Sequence, residues 1–223
     1  MFQGYTDETF EFFMAIRFNN NADFFHSNHD WYLRAVREPS LALAEALAPT
    51  VEWLDDSLER RPNRVLARIN RDIRFSRDKS PYRDYIWLAF RRPGEEKSVT
   101  LGVYFDLSDS GASYGMGVYR ENRPLMNGMR RKICADPDGL ASLLGGLGGE
   151  FQLYADVRRR LAVPEGLPEQ VAALYPAKSF YVEKDLTDFD LLRSPALAGE
   201  VAAGYRRLAP LYRWFQQIEP VEE

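Results

Sequence analysis

Apolar residues recur at helical spacing through the first third of the chain. Thr6 is a good N-cap, and Asp7 and Glu8 follow it in the favourable first turn. Phe10, Phe13, Met14 and Arg17 then predict a helix over residues 7–17. The run Asn19-Asn20-Asn21 breaks it. A second helix is expected from Ala22 or Asp23, carrying Phe24, Phe25, Tyr32, Ala35 and Val36 and stopped by Pro39. Ser40 can cap a third helix over 41–47, resuming after Pro49 through Trp53 and Leu54.

From Arg64 the period changes to two. Val65, Ala67, Ile69, Ile73 and Phe75 alternate with Arg64, Leu66, Arg68, Asn70 and Arg74, which predicts a strand over 65–75. Further strands are expected at 85–91, 99–105 and 113–119, joined by the polar turns around Pro81, Pro93-Gly94 and Asp109-Ser110-Gly111. Leu125, Met126, Met129 and Ile133 return to helical spacing. Asp136-Pro137 opens a short helix that the glycines from Gly145 to Gly149 end. A short helix at 169–174, a strand at 179–182 and a long helix after Ser194-Pro195 complete the pattern. The last helix has an apolar stripe through Leu197, Val201, Tyr205, Leu208, Leu211, Tyr212 and Phe215. The expected class is α+β, a central and mainly antiparallel sheet with N-terminal and C-terminal helices packed on it, as a single domain over residues 1–223.

Composition narrows the function classes. A chain of 223 residues with 45% hydrophobic positions supports a sizeable core. No apolar run reaches the length of a membrane span, and the start lacks the pattern of a secretory signal. With a single cysteine, Cys134, the expected location is the cytoplasm, and the thiol is expected to be buried and inert. The net charge of −4 argues against nucleic-acid binding. The charge is unevenly spread: residues 60–92 carry +8, which leaves −12 for the remainder. An internal ion-pair network and an anion site both fit that segment.

Within it, Arg68-Ile69-Asn70-Arg71-Asp72-Ile73-Arg74-Phe75-Ser76-Arg77-Asp78-Lys79-Ser80-Pro81-Tyr82-Arg83 resembles the hallmark of an uncharacterised, largely bacterial family, domain of unknown function 2461, with Arg77 and Arg83 where lysine is usual. Asn19-Asn20-Asn21 followed by Phe24-Phe25 is similar to that family's N-terminal element, with Phe24 in place of tryptophan. Gly115-Met116-Gly117-Val118-Tyr119, Leu125, Arg130, Lys178 and Trp214 fit its later blocks. The resemblance spans nearly the whole chain and implies no activity.

The chemistry therefore rests on the residues themselves. On a strand, Arg68, Asn70, Asp72 and Arg74 share one face, while Arg71 lies opposite with Ile69, Ile73 and Phe75. A cation among apolar neighbours needs an acidic partner or a ligand. Arginine's planar fork suits carboxylates and phosphates. The candidate ligand-binding residues are Arg68, Arg71, Arg74, Lys79, Tyr82 and Arg83, for a small anionic ligand. A structural network through Asp72 and Asp78 is the alternative. An enzyme using Asp72, Asp78 or Tyr82 as proton carrier is a third reading.

Gly115 and Gly117 leave a depression on one strand face, for which close packing of a helix is the favoured occupant. Tyr104, Tyr114 and Tyr119 are read first as packing groups. His26 and His29, the only histidines, are expected on a helix surface, so no metal is predicted. No nucleotide, hydrolase or redox motif is present, and no cofactor is expected. Asp55-Asp56 and Glu95-Glu96 are read as solvated turn residues. The oligomeric state is left open.

Overall fold

The computed structural model of the chain describes residues 1–74, 77–94 and 100–222. Helix α1 (Asp7–Phe18) buries Phe10, Phe12, Phe13 and Ile16. Asn21 caps α2 (Ala22–Ser27) by accepting from the Phe24 N–H. After Asn28 the chain forms α3 (His29–Tyr32), widens into a π-helical turn over Leu33–Arg37 and continues directly into α4 (Glu38–Leu54). Pro39 thus opens α4 instead of ending a helix. The Glu38 N–H bonds to the Leu33 carbonyl five residues back, and this wider turn passes the position where proline brings no donor. α4 also runs through Pro49.

The expected strand over 65–75 is absent. Pro62 starts a single helical turn, α5 (Pro62–Val65). Beyond it the chain is extended and meets other segments at two isolated bridges, Leu66 with Leu88 and Asn70 with Tyr82. The alternation is real in burial: Arg68, Asn70, Asp72 and Arg74 are exposed, while Ile69 is buried and Arg71 and Ile73 are half-buried. Alternation reports one side facing the core. A strand also needs a continuous partner, and none runs beside this segment among the described residues.

Strands β1 (Tyr85–Arg91), β2 (Gly102–Ser108) and β3 (Gly111–Val118) form the meander. Helices α6 (Arg123–Ala135) and α7 (Pro137–Gly145) follow, then β4 (Gln152–Val157), α8 (Glu169–Leu174), β5 (Ala177–Leu186), α9 (Phe189–Leu192) and α10 (Ala196–Gln216). The sheet order is β1-β2-β3-β5-β4, antiparallel throughout. The fold is α+β.

One sheet face is apolar: Leu88, Phe90, Phe105, Tyr114, Met116, Phe180 and Val182 are all buried. α10 packs on it, with Tyr205 against Phe90 and Tyr114 and Phe215 stacked on Phe180 at 4.3 Å. The stripe read from the sequence, Leu197 to Phe215, is buried. α4 lies beside α10 and is tied to it by the Tyr212 hydroxyl, which donates to Asp55 at 2.8 Å. Arg130 on α6 is buried and donates to the carbonyls of Tyr175 and Ala177, fixing the entry to β5. Cys134 is exposed, contrary to expectation, because it lies one position past the buried Ile133 and so turns off the apolar side of α6. No helix among the described residues is long and apolar enough to cross a membrane.

Candidate functional site

The basic motif is a loop that bonds largely to itself. The Arg71 N–H donates to the Pro81 carbonyl and the Arg83 N–H to the Ile69 carbonyl, each at 2.8 Å. The Arg71 guanidinium pairs with Asp78. Arg74 holds Asp72 through Nε at 2.9 Å and Nη2 at 2.7 Å. Lys79 Nζ donates to the Ile73 carbonyl at 2.9 Å, and the Arg83 guanidinium donates to the carbonyls of Arg68 and Asn70. Both acids sit well below their ordinary range, at about 2. Asp72 is held there by the Arg74 hydrogen bond, Asp78 by the Ser80 N–H and then by Arg71. Arg68 and Arg77 are exposed and have no ion-pair partner among the described residues. Phe75 and Ser76 lie outside the described residues.

Tyr82 takes a different role from its neighbours. Its ring is buried and stacks on Phe25 with centroids 4.2 Å apart. Asn20 clamps its backbone from both sides, accepting from the Tyr82 N–H at 2.9 Å and donating to its carbonyl at 3.0 Å. The Asn19–Asn21 element and the basic motif, distant in sequence, therefore meet at Tyr82.

His26 and His29 are exposed beside Phe25, and no cluster of three metal-ligating side chains occurs among the described residues. Asp55 is not the solvated turn residue that was expected. It is buried and accepts from Tyr212, from Gln216 and from both the N–H and hydroxyl of Ser57. Glu95 and Glu96 lie outside the described residues.

The second face of the sheet carries no helix among the described residues. Among the described residues, Trp87, Tyr104, Tyr154 and Tyr181 make ring contacts with one another or with Tyr119, which follows β3, and Tyr104 and Ser113 bond to strand carboxylates. Strand register sets three adjacent rows at the middle of this face. Trp87, Asp106, Ser113 and Asp185 form one, Ala89, Tyr104, Gly115, Glu183 and Gln152 the next, and Arg91, Gly102, Gly117, Tyr181 and Tyr154 the third. Gly115 and Gly117 admit a strand, not a helix: a Cβ would stand 2.1 Å from the Val182 carbonyl oxygen in the first case and 2.4 Å from that of Phe180 in the second. β5 thus comes close to β3, and the flanking tyrosines overhang a shallow trough.

Aromatic rings run across this trough. Trp87 meets Tyr119 edge to face at 5.0 Å, Tyr119 stacks beside Tyr181 at 5.8 Å, and Tyr181 beside Tyr154 at 4.9 Å. Tyr104 lies beneath Tyr119 and is buried, whereas Tyr119 is 42% exposed. The Trp87 indole N–H is buried and has no acceptor among the described residues.

Beside the rings lies a hydroxyl and carboxylate network. The Tyr104 hydroxyl donates to Glu183 Oε2 at 2.7 Å. Ser113 Oγ is 3.1 Å from Asp106 Oδ2 and 3.1 Å from Glu183 Oε2. Burial pushes the Asp106 carboxyl up to about 6. The Ser113 hydrogen bond opposes that rise, and the Glu183 and Asp185 charges add to it. Burial drives the Tyr104 phenol far above its usual range, so it remains a neutral donor. A proton carrier near neutrality, next to a fixed donor and a second carboxylate, is suited to binding or proton exchange.

On the helix-bearing side, at the β4 edge, lies a hollow of about 400 Å³ between α7, α8 and the sheet, lined by Leu144, Leu147, Phe151 and Leu153. Glu169 and Gln170 are its polar lining.

Sequence reasoning singled out Gly115, Gly117, Tyr104 and Tyr119 but not Trp87, Asp106, Ser113, Tyr181 or Glu183. A usable signal was present: Tyr104 and Asp106 alternate with Val103, Phe105 and Leu107, and Tyr181 and Glu183 with Phe180 and Val182. The family model described as Conserved hypothetical protein (DUF2461) matches residues 8–214. No functionally curated protein matches the chain.

Proposed function

The chain belongs to the DUF2461 family, and we propose that it is a single-domain small-molecule-binding module whose site is the open face of the sheet. The observation that carries this reading is the aromatic strip running beside the Asp106–Ser113–Glu183 network. Half-burying two neighbouring carboxylates that have no ion pair among the described residues costs electrostatic energy, and laying tyrosine and tryptophan rings on a face that carries no described helix forgoes core packing. A ligand seated there supplies both missing partners. The hollow at the β4 edge offers apolar area but few converging polar groups, so it is the weaker candidate.

The test is a small-molecule screen by thermal stabilisation, since a ligand that binds only the folded state raises the melting temperature by mass action. Compounds that stabilise the wild type should lose that effect in Tyr119→Ala and keep it in Arg68→Ala. Retention in Tyr119→Ala would count against the open face.

A second reading keeps the small anionic ligand at Arg68, Arg71, Arg74, Lys79, Tyr82 and Arg83. It is favoured by Arg68 and Arg77, exposed guanidinium groups without an ion-pair partner among the described residues. Stabilisation by phosphate that fades in Arg68→Ala would support it.

A further inference from the structure

Proton counting on the open face is unbalanced. Ser113 Oγ carries one hydrogen yet contacts an oxygen of Asp106 and one of Glu183, both at 3.1 Å. Glu183 Oε2 already accepts from Tyr104. With both acids ionised, one serine contact sets lone pair against lone pair, and one donor is missing. Charge is unbalanced there too. Elsewhere the sheltered acids have basic partners: Asp109 has Arg17 at 2.6 Å, Glu200 has Lys184 at 2.8 Å, and Asp55 has Arg92 at 3.6 Å. Asp106 and Glu183 have no ion pair among the described residues. The face also holds a cation already, since the Arg91 guanidinium lies 5.0 Å over the Trp87 ring.

Resting on the open-face reading, we propose that the ligand is an organic cation with N–H donors, an alkylammonium or guanidinium group. It fills the missing donor position between Asp106 and Glu183, and in acid its capture expels the proton that Asp106 then carries. The exchange balances: protonated protein and cation give the cation complex and one free proton. In the empty site the Asp106 proton goes to Ser113 Oγ, and the serine proton goes to Glu183. The groups facing Asp106 are Glu183, Asp185 and Tyr181 from β5, Tyr104 from its own strand, Tyr119 after β3, neutral Trp87 from β1 and, through the sheet, Tyr205 of α10. None is basic. Burial of Asp106 places the exchange at about pH 6.

The probe is n-butylammonium chloride, added to the full chain carrying carbon-13 in its Asp and Glu carboxyl groups. The Asp106 and Glu183 signals should move together on addition of the cation. Affinity should be about tenfold weaker at about pH 5 than at about pH 7, as expected when one proton must leave. In Asp106→Asn, whose amide donates permanently to Ser113, binding should weaken and lose its pH dependence. Equal affinity at both pH values overturns the proton exchange. An Asp106 signal that titrates in the ordinary carboxylate range overturns the shared proton without any variant. If a neutral compound shifts Trp87 and Tyr119 while n-butylammonium leaves both carboxyls unmoved, the cation assignment fails and the open-face reading survives. If no compound of any class shifts these residues, the reading beneath fails and the inference falls with it.

Discussion

Tyr114 crosses α10 at Gly204, where a Cβ would stand 2.1 Å from its ring. This close approach lets the Tyr114 hydroxyl reach Glu200 Oε1 at 3.0 Å, on the same helix. Tyr114 is fully buried and cannot swing away. Gly204→Ala should therefore destabilise the fold by about 1–3 kcal/mol through overpacking, despite alanine's better helix propensity. A urea midpoint equal to or above that of the wild type would mean the ring yields more easily than its burial implies.

Tyr205, one residue on, makes the opposite prediction. Its hydroxyl is buried with no hydrogen-bond partner among the described residues. Tyr205→Phe keeps the ring against Phe90 and Tyr114 and removes a desolvated polar group. The variant should be neutral or more stable by about 1 kcal/mol. A loss of that size would reveal a partner for the hydroxyl, an ordered water for example.

Two acids should move stability with pH in opposite directions. Burial pushes Asp55 up, but hydrogen bonds from Ser57 and Tyr212 and the charge of Arg92 outweigh it, so its folded pKa is lowered. Its contribution is present above the unfolded value and is lost as pH falls through the folded one. Asp55→Asn should therefore weaken the fold at neutral pH and flatten its acid limb. Asp106 is raised to about 6, so its contribution is present below the unfolded value near 4 and is lost as pH rises through about 6. Asp106→Asn should be more stable than the wild type by about 1–2 kcal/mol at neutral pH, with the gap closing in acid. Chemical denaturation of the three proteins across pH measures both slopes, and parallel curves would refute both assignments.

Arg71 pairs with Asp78, whose side chain is 54% exposed. Arg71→Ala leaves no buried charge behind and should cost less than about 1 kcal/mol, as exposed ion pairs do. A loss of several kcal/mol in a melting experiment would show that the motif carries more of the fold than its geometry indicates.

The helices and the meander were legible because burial imposes their period directly. The Leu197–Phe215 stripe is buried as read, and β1 begins where its apolar run begins. The alternation of residues 65–74 was legible too, but an edge-bridged segment and a strand share that pattern, and only the neighbour distinguishes them. β4 was overlooked although Leu153, Ala155 and Val157 alternate with Gln152, Tyr154 and Asp156. The open face was the least legible part. Its residues stand on the polar phase of β2, β3 and β5, which ordinarily means solvent. They form one site only because β5 inserts between β3 and β4, a pairing that no local pattern specifies. The arginine motif drew attention because charge is conspicuous in sequence, whereas a serine between two carboxylates is not.

The most direct test of the open face is where a bound small molecule sits. A backbone amide and indole NMR map, recorded with any compound that stabilises the chain, should show its largest shifts at Trp87, Tyr104, Tyr119, Tyr181 and Glu183, with the Trp87 indole signal moving first. Shifts confined to Arg68–Arg83, or to the hollow beside Leu144 and Leu153, with the Trp87 signal unchanged, would contradict it.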